Sequence, residues 1–155
     1  MQKWSKRYLE LAKCVSSWSK DPSTQVGAIC VGAKGQILSQ GYNGFPRGIK
    51  DLPERLNIRE EKYRYVVHAE QNCIYNACLN GVGLEGSSIY LYGLPICNEC
   101  AKGIIQVGVT QVIAQFDPKA AKNKWKESFD TSRTMFKECR IHHVCYDLSG
   151  KLINI

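Results

Sequence analysis

His68, Glu70, Cys97 and Cys100 are the residues whose types and spacing could do chemistry. An imidazole and two thiolates are three ligands of the kind a tetrahedral zinc ion takes, with the fourth position open for water. Glu70, two residues after His68, is placed to act as acid and base rather than as a ligand. Cys97 and Cys100 are three apart, so both sulfurs face the same side of one helical turn. Two thiolates and one neutral imidazole bring Zn²⁺ near zero net charge, yet bound water is still acidified, from roughly 16 to about 7. Glu70 would take a proton from that water and return it to the group that leaves. Help of this kind is worth roughly 10²–10⁴-fold.

Neither half of this set is specific alone. Redox pairs and zinc ribbons share Cys-x-x-Cys, and His-x-Glu by itself means little. Together, about thirty residues apart on consecutive helices with a strand between, they point to one catalytic zinc per chain. Nucleobase zinc deaminases join a His-x-Glu to a Pro-Cys-x-x-Cys in this way. The other readings are a closed structural zinc site or two reduced core thiols. A closed site needs a fourth protein ligand, and Cys139, His142, His143 and Cys145 are the candidates. His142 and His143 fall in an expected strand, where neighbours point to opposite faces. That favours a packed strand with one exposed histidine.

The elements that must position these groups follow from periodicity. Residues 68–79 read as a helix stopped by Asn80-Gly81. Residues 97–107 read as another ending at Gly108, with a strand over 88–92 between them. Both clusters therefore lie at helix N-termini, where the dipole stabilises negative charge and lowers a thiol's pKa. Upstream, Trp4, Tyr8, Leu11, Val15 and Trp18 recur as one face of a first helix, which ends at Asp21-Pro22. Strands are expected over 26–31 and 36–40, joined by a turn at Ala33-Lys34-Gly35. Residues 41–48 hold three glycines and a proline and read as irregular. Residues 49–67 read as a long loop with room for one short helix, a lid or binding segment. A strand over 111–115, a helix over 120–139 and a strand over 141–146 follow, then a short tail with a hairpin around Ser149-Gly150. Alternation after the opening hairpin implies an α/β fold with a mixed sheet and helices on its faces.

The length of 155 residues suits one domain over the whole chain. Ordinary shares of hydrophobic (44%) and charged (23%) residues argue against disorder. No apolar run reaches a membrane span and no signal-peptide core opens the chain, so a cytoplasmic protein is expected. The net charge of +7 favours anionic partners, but no basic run marks stable nucleic-acid binding. Without a secretory signal the eight cysteines do not read as a disulfide framework. Cys14, Cys30, Cys73 and Cys78 read as small core residues.

Four segments resemble the cytidine deaminase superfamily, and within it the deoxycytidylate (dCMP) deaminases. They are Ser19-Lys20-Asp21-Pro22-Ser23-Thr24-Gln25-Val26-Gly27-Ala28, Gly41-Tyr42-Asn43-Gly44-Phe45-Pro46-Arg47-Gly48, His68-Ala69-Glu70-Gln71-Asn72 and Cys97-Asn98-Glu99-Cys100-Ala101-Lys102. The resemblance covers roughly residues 4 to 115. It implies a three-layer cytidine-deaminase-like fold, with a five-stranded mixed sheet and helices on both faces. It implies zinc-dependent deamination of dCMP to dUMP, which feeds thymidylate synthesis. It further implies a homo-oligomer, a hexamer by preference, activated by dCTP and inhibited by dTTP, with Mg²⁺ accompanying these effectors.

By the same likeness His68, Cys97 and Cys100 match the zinc ligands and Glu70 the proton shuttle. Asn43 matches the residue that meets the deoxyribose. The segment from Lys20 to Gln25, with Lys20 and Thr24, is expected to form part of the phosphate-binding surface. Gly41, Tyr42, Asn43, Gly44 and Arg47 match the effector region. One departure is Ile96, an extra residue between Pro95 and Cys97 that the turn must absorb. Asp21-Pro22-Ser23-Thr24 holds no cysteine, so no structural zinc is expected beside the first helix. Two other readings stay open. One is a deaminase of another cytosine nucleoside or of a tRNA adenosine. The other is a non-catalytic zinc module that binds nucleic acid.

Overall fold

A computed structural model describes residues 1–122 and 125–153. The elements are α1 (Lys3–Ser16), β1 (Gly27–Val31), β2 (Ile37–Tyr42), α2 (Pro53–Asn57), α3 (Arg59–Tyr65), α4 (Ala69–Leu79), β3 (Ser88–Gly93), α5 (Asn98–Gln106), β4 (Gln111–Phe116), a 3₁₀ turn (Pro118–Lys122), α6 (Lys126–Glu138) and β5 (His142–Tyr146). They form a mixed five-stranded sheet in the order β2-β1-β3-β4-β5. β1 runs antiparallel to both neighbours, while β3, β4 and β5 are parallel. The strands β3 to β5 advance in one direction across the sheet. Crossovers of one hand therefore place α5 and α6 on the same face.

Strand alternation divides the core. Ala28, Cys30, Ile89, Leu91, Val112, Ala114 and Cys145 point to the face covered by α4, α5 and α6. Ile29, Val31, Tyr90 and Ile113 point to the other face, where Tyr8, Leu9, Ala12 and Val15 of α1 cover them. Helices thus pack on both faces, in three layers, as expected.

Several boundaries and faces differ from the sequence reading. The buried stripe of α1 is Tyr8, Leu9, Ala12, Val15 and Ser16, whereas Trp4 and Trp18 are more than half exposed. Their indoles lie over Tyr8 and Tyr42 at the rim rather than in the core. Cys30 and Cys73 are core residues, but Cys14 and Cys78 are exposed, because each falls on the outer side of its helix. The second strand continues through Gly41 and Tyr42, whose pairing with Ala28 and Gly27 overrides their loop-like composition. Residues 49–67 hold two short helices, α2 and α3, with Pro53 opening the first. The last helix starts at Lys126 rather than 120, after the 3₁₀ turn. The expected tail turn is present, with Gly150 N–H donating to Asp147 O at 2.9 Å and a bridge between Tyr146 and Leu152.

Candidate active site

His68 is the N-cap of α4, in extended conformation, and Gln71 Oε1 accepts from its backbone N–H at 3.3 Å. The sequence folds this way because α4 is tied to the edge strand. Asn72 Nδ2 donates to Tyr42 O and Asn76 Nδ2 to Gln40 O, both at 2.8 Å. Gly41 allows the approach, since a Cβ there would lie 2.3 Å from Cys73 N and 2.5 Å from Ala69 O. In the sheet it lets β2 pack closely on α4.

Cys97 is the N-cap of α5, and its Sγ accepts from Cys100 N–H at 3.4 Å. The extra residue Ile96 is absorbed by full burial, and its carbonyl accepts from Ser132 Oγ of α6 at 2.9 Å. Pro95 is thereby turned to the cavity in front of Cys97.

The two helix N-termini bring the ligand candidates together. His68 Nδ1 lies 3.4 Å from both Cys97 Sγ and Cys100 Sγ. All three donor atoms fall within 4.8 Å of one another. Edges of a tetrahedral zinc site with one nitrogen and two sulfurs are roughly 3.5 Å, so this donor set fits zinc in type and spacing. Among the described residues it is the only cluster of three His, Cys, Asp or Glu side chains that could hold a metal.

The electrostatics agree with a thiolate-bearing site. The neighbouring Cys100 thiol, which outweighs burial, and His68 hold Cys97 down at about 4. The Cys97 contact, against the opposing effect of burial, raises His68 to about 8. Cys100 is pushed up by its bond to Cys97 and by burial, since two adjacent thiolates repel. Glu70, 4% exposed, is raised to about 7 chiefly by burial, with the Cys97 charge adding to it.

Of these groups His68, Glu70 and Cys97 line a cavity of about 470 Å³, within the roughly 300–1,000 Å³ of small-ligand sites. Thr24 and Asn43 line it, as does His68 beside Glu70 and Cys97. Asn43 is buried and its amide is engaged with the chain: Oδ1 accepts from Val26 N–H at 2.8 Å and Nδ2 donates to Thr24 O at 2.9 Å. It fixes the turn 21–26 as well as facing the cavity. Lys20 lies outside this lining; it is exposed, pairs with Asp51, and borders a smaller cavity of about 90 Å³ with Tyr42 and Gly44. Arg47 is also exposed and donates to Asn76 Oδ1 on α4.

The sequence reading did not single out Arg59, Lys62, Tyr63 and Trp125, which line the cavity with Asp21. Lys62 is 9% exposed, and its Nζ donates to Asp21 Oδ1 at 3.0 Å and Ser23 Oγ at 2.7 Å. A signal was available: Arg59, Lys62 and Tyr63 share a face at spacings of three and four once residues 59–65 are helical. Away from this cavity, His143 and Cys145 turn inward with Nε2 and Sγ 3.3 Å apart, while His142 is exposed. Burial drives His143 down to about 4 and Cys145 up to about 12, so both are neutral and packed.

The comparisons with known proteins converge. Residues 2–116 match the family described as the cytidine and deoxycytidylate deaminase zinc-binding region. An uncharacterized deaminase in the luxG 3′ region of Aliivibrio fischeri is 38% identical over 141 residues, covering 91% of this chain and 92% of that protein. Deoxycytidylate deaminase of Mus musculus is 41% identical over 141 residues, covering 86% of this chain and 74% of that one. The crystal structure of dCMP deaminase from the cyanophage S-TIM5 in complex with dCMP and dUMP superposes with a TM-score of 0.72. It is 24% identical and spans 94% of this chain and 98% of its own, a likeness of fold. A family match over three quarters of the sequence, with its metal-binding residue types converged at two helix N-termini, places this chain in the cytidine and deoxycytidylate deaminase zinc-binding family.

Proposed function

We propose that this chain is a zinc-dependent hydrolase that deaminates dCMP to dUMP and ammonia, supplying dUMP for thymidylate synthesis. The observation that carries the reading is the buried Glu70 beside the His68–Cys97–Cys100 cluster, in a cavity of nucleotide size. The names of the curated relatives favour dCMP as substrate. His68, Cys97 and Cys100 would hold the zinc, which supplies an acidified water as the nucleophile at neutral pH.

The protein's part is proton handling and exclusion of bulk water. Burial raises the Glu70 carboxyl, and a carboxyl beside the ligand cluster can accept a proton and return it. The Glu70 carboxylate takes a proton from the attacking water and passes it to N3 of cytosine, and the water oxygen bonds to the C4 so made electrophilic. The carboxylate then takes the proton of the new C4 hydroxyl and delivers it to the amino nitrogen; the C4–N bond breaks, ammonia leaves and the C4 carbonyl of dUMP forms. Asn43 and Thr24 present the wall against which the sugar lies. Purified protein should carry one zinc per chain and convert dCMP to dUMP with equimolar ammonia. A zinc-loaded protein that turns over none of dCMP, CMP or deoxycytidine sinks this reading.

The same proposal includes homo-oligomeric control by dCTP and dTTP, with Mg²⁺, through the loop that holds Gly41, Tyr42, Asn43, Gly44 and Arg47. The supporting contact is Arg47 on Asn76 of α4, the helix whose N-terminus carries His68 and Glu70. A triphosphate that draws Arg47 from Asn76 would act on that helix, and effectors with unequal affinity for two states shift the balance between them. Velocity against dCMP should be sigmoidal, near hyperbolic with dCTP, and right-shifted by dTTP. Light scattering should give a multiple of the chain mass, six by preference. Arg47→Ala should blunt the effector response more than the fully activated rate. A hyperbolic curve that neither nucleotide moves removes this part.

A further inference from the structure

We infer that Arg59, oriented by Tyr63, is the residue that recognises the substrate's 5′-phosphate, and so sets the preference for a nucleotide over a nucleoside. The inference rests on the dCMP reading and names the group that reads the phosphate.

Charge accounting around the cavity selects Arg59. The cations among its described lining residues are Arg59 and Lys62. Lys62 is buried, and its ammonium is compensated at 3.0 Å by Asp21. Asp21 is itself kept ionised: burial would raise it, but the Ser23 N–H, the Lys62 ammonium, the Ser23 hydroxyl and the Thr24 N–H hold it below the ordinary 3.8. That pair contributes no net charge to the wall. Lys20 is bound to Asp51 outside the lining. Arg59 is exposed at the cavity, and no carboxylate among the described residues pairs with it.

The guanidinium is also held in a useful pose. Nε donates to Tyr63 OH at 2.9 Å, with the guanidinium carbon 5.6 Å from that ring's centroid. Trp125 meets the Tyr63 ring edge-on at 6.3 Å. Tyr63 thus occupies Nε, while the two terminal nitrogens take no acceptor among the described residues. Those two nitrogens form a fork that suits two phosphate oxygens at once. Part of the ordering cost is met before the ligand arrives, because Tyr63 and Trp125 already restrict the side chain.

The test separates phosphate from base recognition. Zinc-loaded wild type, Arg59→Ala, Arg59→Lys, Tyr63→Phe, Lys20→Ala and Arg64→Ala are titrated calorimetrically with dUMP and with deoxyuridine. Wild type should bind dUMP more tightly than deoxyuridine. Arg59→Ala should weaken dUMP on the order of 10- to 100-fold, the scale of a charged hydrogen-bonded pair, and spare deoxyuridine. Arg59→Lys should recover part of the loss, and Tyr63→Phe should lose less than Arg59→Ala. Arg64→Ala, a charge removed from the same helix outside the lining, should keep the preference. The inference is overturned if Arg59→Ala keeps the preference, if it weakens both ligands alike, or if Lys20→Ala removes the preference instead. A wild type that prefers dUMP yet turns over no dCMP would sink the deamination reading while supporting this site.

Discussion

Glu70→Gln should keep one zinc per chain and the wild-type circular dichroism spectrum while kcat for dCMP falls by roughly 10³-fold. The amide keeps the size of the carboxyl, so the buried position of Glu70 stays filled. In the proposed mechanism it loses the ability to accept a proton from water and return it to the ring and to the amine. KM should move little, because the proton transfers belong to the chemical step rather than to binding. Loss of metal in this variant would instead make Glu70 a ligand or a structural support, and turnover near the wild-type rate would mean that another group carries the proton.

The second large effect is expected on stability. Lys62→Ala removes one half of the buried pair with Asp21, whose side chains are 11% and 8% exposed. It leaves a buried carboxylate without its charge partner, a change that typically costs about 3–5 kcal/mol. For a chain of this size that corresponds to a melting temperature lower by on the order of 10 °C. Asp21 Oδ1 also accepts from Ser23 N–H at 2.8 Å and Thr24 N–H at 3.1 Å, so the turn that lines the cavity should loosen as well.

The pH dependence follows from the direction of the shift. The Asp21 carboxyl is lowered from its ordinary 3.8, so its contribution is fully present above about pH 4 and is lost as pH falls through the lowered value. The gap in melting temperature between wild type and Lys62→Ala should therefore be constant at neutral pH and narrow in stronger acid. A gap below about 2 °C at pH 7, less than 1 kcal/mol on the same scale, would show that the pair does not hold this turn.

Local pattern made much of this molecule legible. His68, Cys97 and Cys100 could be read because ligand chemistry restricts residue types and because each cluster opens a helix with a recognisable stop, Asn80-Gly81 for one and Gly108 for the other. The strands β1, β3 and β4 were readable as short apolar runs between turn residues. Glu70 was readable from its offset to His68.

The N-terminal helix shows where periodicity stops informing. Trp4 and Trp18 fit an apolar stripe, but only the sheet decides which stripe of α1 is covered, and Leu9 and Ala12 take those places. Gly41 looked like loop chemistry because a glycine needed for flexibility and one needed for close backbone approach are identical in sequence. The distance to α4 alone tells them apart.

The cavity wall is the clearest case. Asp21 and Lys62 are 41 positions apart, and no short-range pattern links them. Their pairing exists because α3 folds back over the turn 21–24, and burial there turns two ordinary surface residue types into a committed ion pair. The sequence by itself determined the candidate ligand and acid–base residue types and the helices that present them. Only the tertiary structure decided which cations are neutralised and, among the described residues, that Arg59 faces the cavity uncompensated, because charge compensation depends on distances across the fold.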